Sequence, residues 1–360
     1  MINTFTNPRV VPWYKWIISK KTESCAVVIY FLSRRYGTSP RFFPLYNEFS
    51  QTDIVLFRGS RLPMLDRLYL KLLPIFIILF RQKLSRYKAF IALNSSKNLV
   101  VTTNMILNLD DPMYTKDEIV ELREWESAVR EKGFESVIVC TNQHARDYLR
   151  LNEIESFIEI IPQGHSLTKL TRRRTKLSKG DTINLVYSSP SIDVVGDRHE
   201  GHKMWDCSIL LQEIWPNVKA QNLRLHLIGR LGENARLILR DKRVISYGLV
   251  SVQENSQLLQ RFDAALYPRT YNNNWMPQKL IEYMGAGLPI LAFELGDTRI
   301  VKDLNIGITV NSISDFINLL DSISINPGKL HNFHLNSRTI AMDYSWKNLA
   351  IKYEALYNIF

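Results

Sequence analysis

The feature that most constrains this chain is a recurring unit. A short apolar run rich in β-branched residues ends in polar or glycine residues, and a stretch with helical spacing follows. In the first half the runs are CAVVIYFL (25–32), DIVLFRG (53–59), MILNLDDP (105–112), SVIVCTN (136–142) and FIEIIPQG (157–164), with helical patterns notably at 62–88 and 115–132. Such runs lack the strict apolar–polar alternation of a strand with one wet face. They predict short strands buried on both faces, in a parallel sheet covered by helices.

The series stops at TKLTRRRTKLSKGD (168–181), which is polar and basic and reads as a linker. It resumes with INLVYSSP (183–190), LRLHLIGR (223–230), RVISYGLV (243–250), AALYP (264–268), LPILAF (288–293) and IGITV (306–310). Helices are expected between them at 203–214, 233–241, 252–262, 277–285 and 313–322. The 360 residues suffice for two domains. The expected division is 1–167, the linker 168–181, a second domain at 182–343, and a terminal helix at 344–360 that crosses back to the first. The most economical fold class is α/β, two doubly wound Rossmann-like domains facing each other across a cleft. Ligands of such sheets sit at the carboxyl ends of the strands, so the residues just after each strand are the ones to inspect.

Charge divides the chain unevenly. Residues 1–100 carry 16 Lys/Arg against 4 Asp/Glu, whereas residues 101–360 carry 30 against 31. A one-sided basic surface suits a polyanionic partner, nucleic acid or an anionic membrane leaflet. The most apolar stretch, LYLKLLPIFIILF (68–80), has 13 residues and contains Lys71 and Pro74, too short for a span of about 20. Two readings stay open: a buried core helix, or a helix lying on lipid, helped by Arg67, Arg81, Lys83, Arg86 and Lys88. RVVPWYKWIISKK (9–21) mixes Trp13, Tyr14 and Trp16 with lysines, a composition suited to lipid headgroups. An anionic membrane surface met through 9–21 and 67–88 is therefore an expected partner. Cys25, Cys140 and Cys207 are far apart, which fits a reducing compartment, and MINTFTNPRVVPWYKW has no secretory h-region. The expected location is cytoplasmic, with peripheral contact to the inner face of the cell membrane.

The segment with the sharpest chemistry is WMPQKLIEYMGAG (275–287), which follows the loop RTYNNN. A proline is favoured at the first helical position, and the free N–H groups there suit an anion. Lys279 and Glu282 are three apart and share a helix face. The lysine can meet a phosphate, and the carboxylate can accept two hydrogen bonds from ribose hydroxyls. Alone, the pair reads more simply as a surface salt bridge.

PQKLIEYMGAGLP resembles the nucleotide-sugar site of GT-B glycosyltransferases, in particular the retaining group-1-type enzymes with an E-x7-E motif. The resemblance implies that Glu282 binds the donor ribose. The first glutamate of that motif, a contact to the donor sugar, is Asn274 here, which can hydrogen-bond a hydroxyl but carries no charge. Retaining and inverting outcomes both stay open. In SSPSIDVVGDRHEGHKMW the resemblance implies that Arg198 and Lys203 face the donor diphosphate, where two cations would stabilise the leaving nucleotide; a basic surface loop is the alternative. Gly229 and YGLV (247–250) also match the family's layout, the latter near the expected base pocket. SVIVCTNQHARDYL with IEIIPQGHS, and the last 17 residues, look like the segments around the family's interdomain crossover.

For acid–base work, Asp110 and Asp111 at the end of MILNLDDP are the candidates, and their position matches where family members carry a histidine or acid near the acceptor. An inverting transfer needs a base for the acceptor hydroxyl; a retaining one would use the pair only to orient it. A helix N-terminal box is the alternative. His144, His165, His199 and His202 form no metal-ligand spacing, and no P-loop occurs, so no cofactor or metal is expected beyond the donor co-substrate. The resulting expectation is transfer of a sugar, of hexosyl type, from a nucleoside-diphosphate donor to a glycan or lipid-linked acceptor in surface polysaccharide biosynthesis. Rivals are a nucleotide-sugar epimerase of the same fold and a non-catalytic binding protein that kept it. Nucleic acid is not expected, because the PQKLIEYM segment needs a donor to have a purpose.

Overall fold

The computed structural model describes residues 10–12, 16, 24–32, 45, 48–58, 75, 77–93, 103–109, 116–165, 177–195, 206–270, 277–296 and 298–360. The chain forms two compact units, one of residues 1–164 with 346–360 and the other of residues 165–345.

The first unit is a parallel sheet of seven strands: β1 (Val10–Pro12), β2 (Ala26–Leu32), β3 (Thr52–Arg58), β4 (Ala89–Leu93), β5 (Asn104–Asn108), β6 (Ser136–Cys140) and β7 (Phe157–Ile160), in the order β1-β3-β2-β4-β5-β6-β7. Successive residues of the central strands point to opposite faces, and each face has its own core. Val27, Met105, Leu107 and Ile138 pack with Trp125 of the helix α2 (Lys116–Glu131) and Leu149 of α3 (Gln143–Leu151). Ala26, Val28, Ile106, Val137 and Val139 pack on the other face with Leu349 and Tyr353 of the terminal helix α9 (Trp346–Ala355). Burial on both faces is why these strands read as unbroken apolar runs. Glu354 fixes that helix by accepting from the Ser50 N–H at 2.7 Å and the Gln51 N–H at 2.5 Å.

Three expectations change here. The strand β4 falls on KAFIAL, immediately beyond the predicted helix 62–88, and was not expected; neither was β1. The segment before β4 is helical at 75, 77–79 and over α1 (Arg81–Leu84). Trp16 is not at a headgroup surface. It is 1% exposed, donates from Nε1 to the Tyr87 hydroxyl at 2.8 Å, and lies edge-on to Phe80. Its apolar surface is claimed by the sheet core rather than by lipid. Trp13 and Tyr14 lie outside the described residues.

The second unit holds six parallel strands, β8 (Ile183–Ile192), β9 (Leu223–Leu231), β10 (Val244–Gly248), β11 (Ala264–Tyr267), β12 (Ile290–Phe293) and β13 (Gly307–Val310), in the order β10-β9-β8-β11-β12-β13. The order runs outward one way from β8 to β10 and the other way from β11 to β13. It therefore reverses between β8 and β11, and that reversal leaves a crevice at the carboxyl ends of those two strands. The intervening helices include α4 (Val252–Leu259), α5 (Gln278–Gly285), α6 (Arg299–Asp303), α7 (Ile313–Ile325) and α8 (His331–Ala341). Within the predicted helix 203–214 the described helical turns are a π segment at Ile209–Ile214, and 233–241 is a 3-10 turn at Ala235–Arg240. Among the described residues no helix is long and apolar enough to cross a membrane.

Candidate active site

The crevice between β8 and β11 is furnished by α5, which follows β11. Pro277 caps this helix rather than occupying its first turn (φ −64°, ψ 124°), so the helix opens at Gln278. Leu280, Ile281, Tyr283 and Met284 bury its two inner sides against Tyr267, Ile290 and Ala292. Lys279 and Glu282 remain partly exposed on the third side, one turn apart. At the far end the Ala286 N–H donates to the Glu282 carbonyl (2.9 Å) and the Gly287 N–H to the Met284 carbonyl (2.8 Å). Gly287 then takes φ +69°, and a Cβ there would come 2.7 Å from Arg338 Cγ. Only glycine makes that left-handed stop cheaply, and the chain turns directly into β12.

Tyr283 ties the helix to the neighbouring strand: its hydroxyl accepts the Ser188 N–H of β8 at 2.8 Å. Ser188 Oγ donates to Asn255 Oδ1 of α4 at 2.8 Å. Beyond Ser188 the strand bulges, and Gly229 of β9 passes so close that a Cβ would lie 1.8 Å from the Ser189 carbonyl oxygen, with φ +146°. The carboxyl end of β8 is thus fixed by three elements.

That end carries Tyr187, whose ring and hydroxyl hold Lys279. The ammonium donates to the hydroxyl at 3.1 Å and lies 4.2 Å from the ring centroid. Cys207 hydrogen-bonds the same hydroxyl, and burial pushes its thiol up to about 11. Arg269, just past β11, sits over the Tyr267 ring at 5.3 Å. Although Lys279 keeps some accessible surface, its ammonium is enclosed. Burial and then the positive charge of Arg269 bring its pKa down from 10.5 to about 8, opposed by Cys207 and Glu282. Lys279 and Arg269 thus lie close enough to repel, with Glu282 one turn on and with Tyr187 and Cys207 held neutral by burial. An entering anion would relieve the strain between them.

Of the sequence-predicted donor residues, the structure brings Lys279 and Glu282 to this crevice. Arg198, Lys203 and Asn274 lie outside the described residues. The residues flanking the segment of Arg198 and Lys203 are fixed at the carboxyl end of β8: Asp193 pairs with Asp206, and the Cys207 N–H donates to the Asp193 carbonyl at 2.7 Å. Asp110 and Asp111 also lie outside the described residues, which end at Leu109 just past β5. Tyr187, Arg269, Tyr283 and Asn255 were missed as site residues. The strand-end rule alone would have flagged Arg269, just past β11; Tyr187 lies inside the β8 run, and the roles of Tyr283 and Asn255 depend on tertiary pairing that no spacing reveals.

Residues 192–324 match the family model described as Glycosyl transferases group 1. Comparison with curated proteins found no match. Among solved structures, HepE from Anabaena in complex with UDP superposes with a TM-score of 0.65 at 13% identity, covering 93% of this chain and 100% of that one. WaaG, a glycosyltransferase involved in lipopolysaccharide biosynthesis, gives 0.59 at 15% identity over 92% and 98%. The lipopolysaccharide outer core galactosyltransferase WaaB, in its apo form, gives 0.58 at 13% over 93% and 98%. At these identities the likeness establishes the fold, which is GT-B.

Proposed function

We propose, from the group 1 glycosyltransferase domain carried in residues 192–324 of a GT-B chain, that this protein transfers a sugar from a nucleoside-diphosphate donor to a glycan or lipid-linked acceptor. The single observation that carries the reading is the desolvated Lys279, held on Tyr187 beside Arg269 with Glu282 one turn on, at the strand-order reversal. Lys279 and Arg269 bind the diphosphate and stabilise charge as the nucleotide leaves; Glu282 binds the ribose. Arg198 and Lys203 add to the phosphate contacts, and Asn274 meets the donor sugar through a neutral hydrogen bond. Asp110 or Asp111 serves the acceptor hydroxyl, as base in an inverting transfer or as an orienting group in a retaining one. No metal has a role in this scheme. That HepE was solved with UDP, and that WaaG and WaaB serve lipopolysaccharide synthesis, supports a uridine donor and a surface-glycan pathway.

Thermal melting with UDP, GDP and ADP tests the reading. A specific ligand at a hundred times its Kd adds about 2.7 kcal/mol, and Glu282→Ala should remove the shift. No shift with any nucleoside diphosphate would overturn the donor site. A screen of sugar donors and the anomeric configuration of the product then fix sugar and stereochemistry.

A further inference from the structure

The helical segment before β4 has two sides of opposite character. Ile77, Leu84 and Tyr87 are at most 2% exposed, and Phe80 packs with them in the core at the same helical spacing. The opposite stripe begins with Ile75, Ile78 and Leu79, exposed by 51%, 50% and 72%. It continues with exposed Gln82, Ser85 and Arg86, and exposed Lys88 follows. The exposed side therefore runs from apolar on the helix to cationic in the turn that leads into β4.

This face cannot turn inward, because the inner side is pinned. Trp16 donates to the Tyr87 hydroxyl, which donates to Asp53 Oδ2 at 2.7 Å. Lys83 is drawn inward too: its ammonium donates to the Trp16 carbonyl and lies 4.8 Å from the indole centroid. Arg86 and Lys88 are left to face outward. The surrounding sequence is itself basic, with 16 Lys/Arg against 4 Asp/Glu in residues 1–100. Large exposed aliphatic side chains grouped on one helical face mark a docking surface, and their cationic continuation selects an anionic partner.

We propose that Ile75, Ile78 and Leu79 insert into the headgroup boundary of an anionic lipid surface, with Arg86 and Lys88 pairing with lipid phosphates. An interfacial helix of this type combines buried apolar area with charge attraction, and each basic residue near the surface adds to the affinity. The surface is independent of the sugar chemistry, so its failure would leave the donor site standing.

The test is co-sedimentation of the full chain with phosphatidylcholine vesicles, with and without phosphatidylglycerol. Binding is expected only to the anionic vesicles and should weaken as salt is raised. Arg86→Glu with Lys88→Glu should weaken partitioning at least about tenfold, and Ile78→Gln with Leu79→Gln by a similar factor. All four side chains are exposed, so the melting temperature and the nucleotide-induced shift should stay as in the parent. Absence of binding to anionic vesicles at low salt would overturn the proposal. So would undiminished binding by both variants. Self-association abolished by Ile78→Gln with Leu79→Gln, without vesicle binding, would assign the face to a second copy and overturn it as well.

Discussion

Replacing Lys279 with methionine should make the ligand-free protein more stable and the donor site weaker. The displacement of the lysine from 10.5 to about 8, at about 1.4 kcal/mol per tenfold, means that burying the charged form costs ~3 kcal/mol. Methionine removes that cost and keeps an apolar stem of similar length. It also forfeits the contact to the Tyr187 ring and hydroxyl, worth about 1–2 kcal/mol when desolvated. The expected net effect at neutral pH is a gain of ~1–2 kcal/mol in urea unfolding. The pH dependence gives a second handle. Because the folded pKa lies below the unfolded one, the unfolded chain binds more protons between about pH 8 and 10.5, so this group adds stability as pH rises through that window. Diphosphate binding needs the charged lysine, so affinity should fall as pH rises through about 8. In Lys279→Met both dependences should vanish, and UDP affinity should drop about 10–100-fold, the value of a charge-assisted hydrogen bond. The assay is urea unfolding and UDP titration from pH 6.5 to 10. A Lys279→Met protein less stable than the parent, with unchanged UDP affinity, would refute the argument.

Tyr283→Phe should cost ~1–3 kcal/mol, because it strands the buried Ser188 N–H, and it should weaken nucleotide binding without removing a donor contact; an unchanged melt and Kd would contradict the tie between α5 and β8. Gly229→Ala should lower stability by more than ~3 kcal/mol or block folding, since its Cβ would meet the Ser189 carbonyl at 1.8 Å; yield and melting temperature report it. If the transfer inverts, only one of Asp110→Asn and Asp111→Asn should lower kcat by about 10²–10⁴ while leaving the nucleotide-induced shift intact. EDTA should leave turnover unchanged, as measured by release of nucleoside diphosphate; a loss restored by Mg²⁺ or Mn²⁺ would require a metal in the mechanism.

The parallel α/β architecture was legible because burial on both faces leaves an unmistakable trace, as in AALY of β11 and ILAF of β12, where every residue is buried. KAFIAL was lost for a physical reason: its apolar residues continue the helical spacing of the preceding segment, and periodicity alone does not separate a short buried strand from a helix end. WYKW misled in the opposite direction. A tryptophan between lysines looks interfacial, but Lys83, 67 residues on, covers the indole of Trp16. At the site, the shared helix face of Lys279 and Glu282 was legible from their spacing, but spacing alone read as a salt bridge, and only the resemblance carried by PQKLIEYMGAGLP singled the pair out. Tyr187 was not, because in INLVYSSP it looks like one more apolar strand residue. Its role appears only when α5 folds back over the end of β8.

The distribution of charge implies two different uses of electrostatics. Residues 101–360 are close to neutral, so no broad field from this part of the chain draws in an anionic donor. On the proposed reading, attraction there comes from a few cations at contact, such as Lys279, whose surroundings have lost water. A lysine buried against a tyrosine costs stability, a cost that the proposed diphosphate contact would turn to affinity. The first hundred residues do the reverse, with many cations and, at Arg86 and Lys88, no enclosure. Exposed charges act at long range and are screened by salt, whereas enclosed ones act at contact and are screened little. If Arg86 and Lys88 meet a lipid surface and Lys279 a diphosphate, surface binding should respond to ionic strength far more steeply than donor binding does.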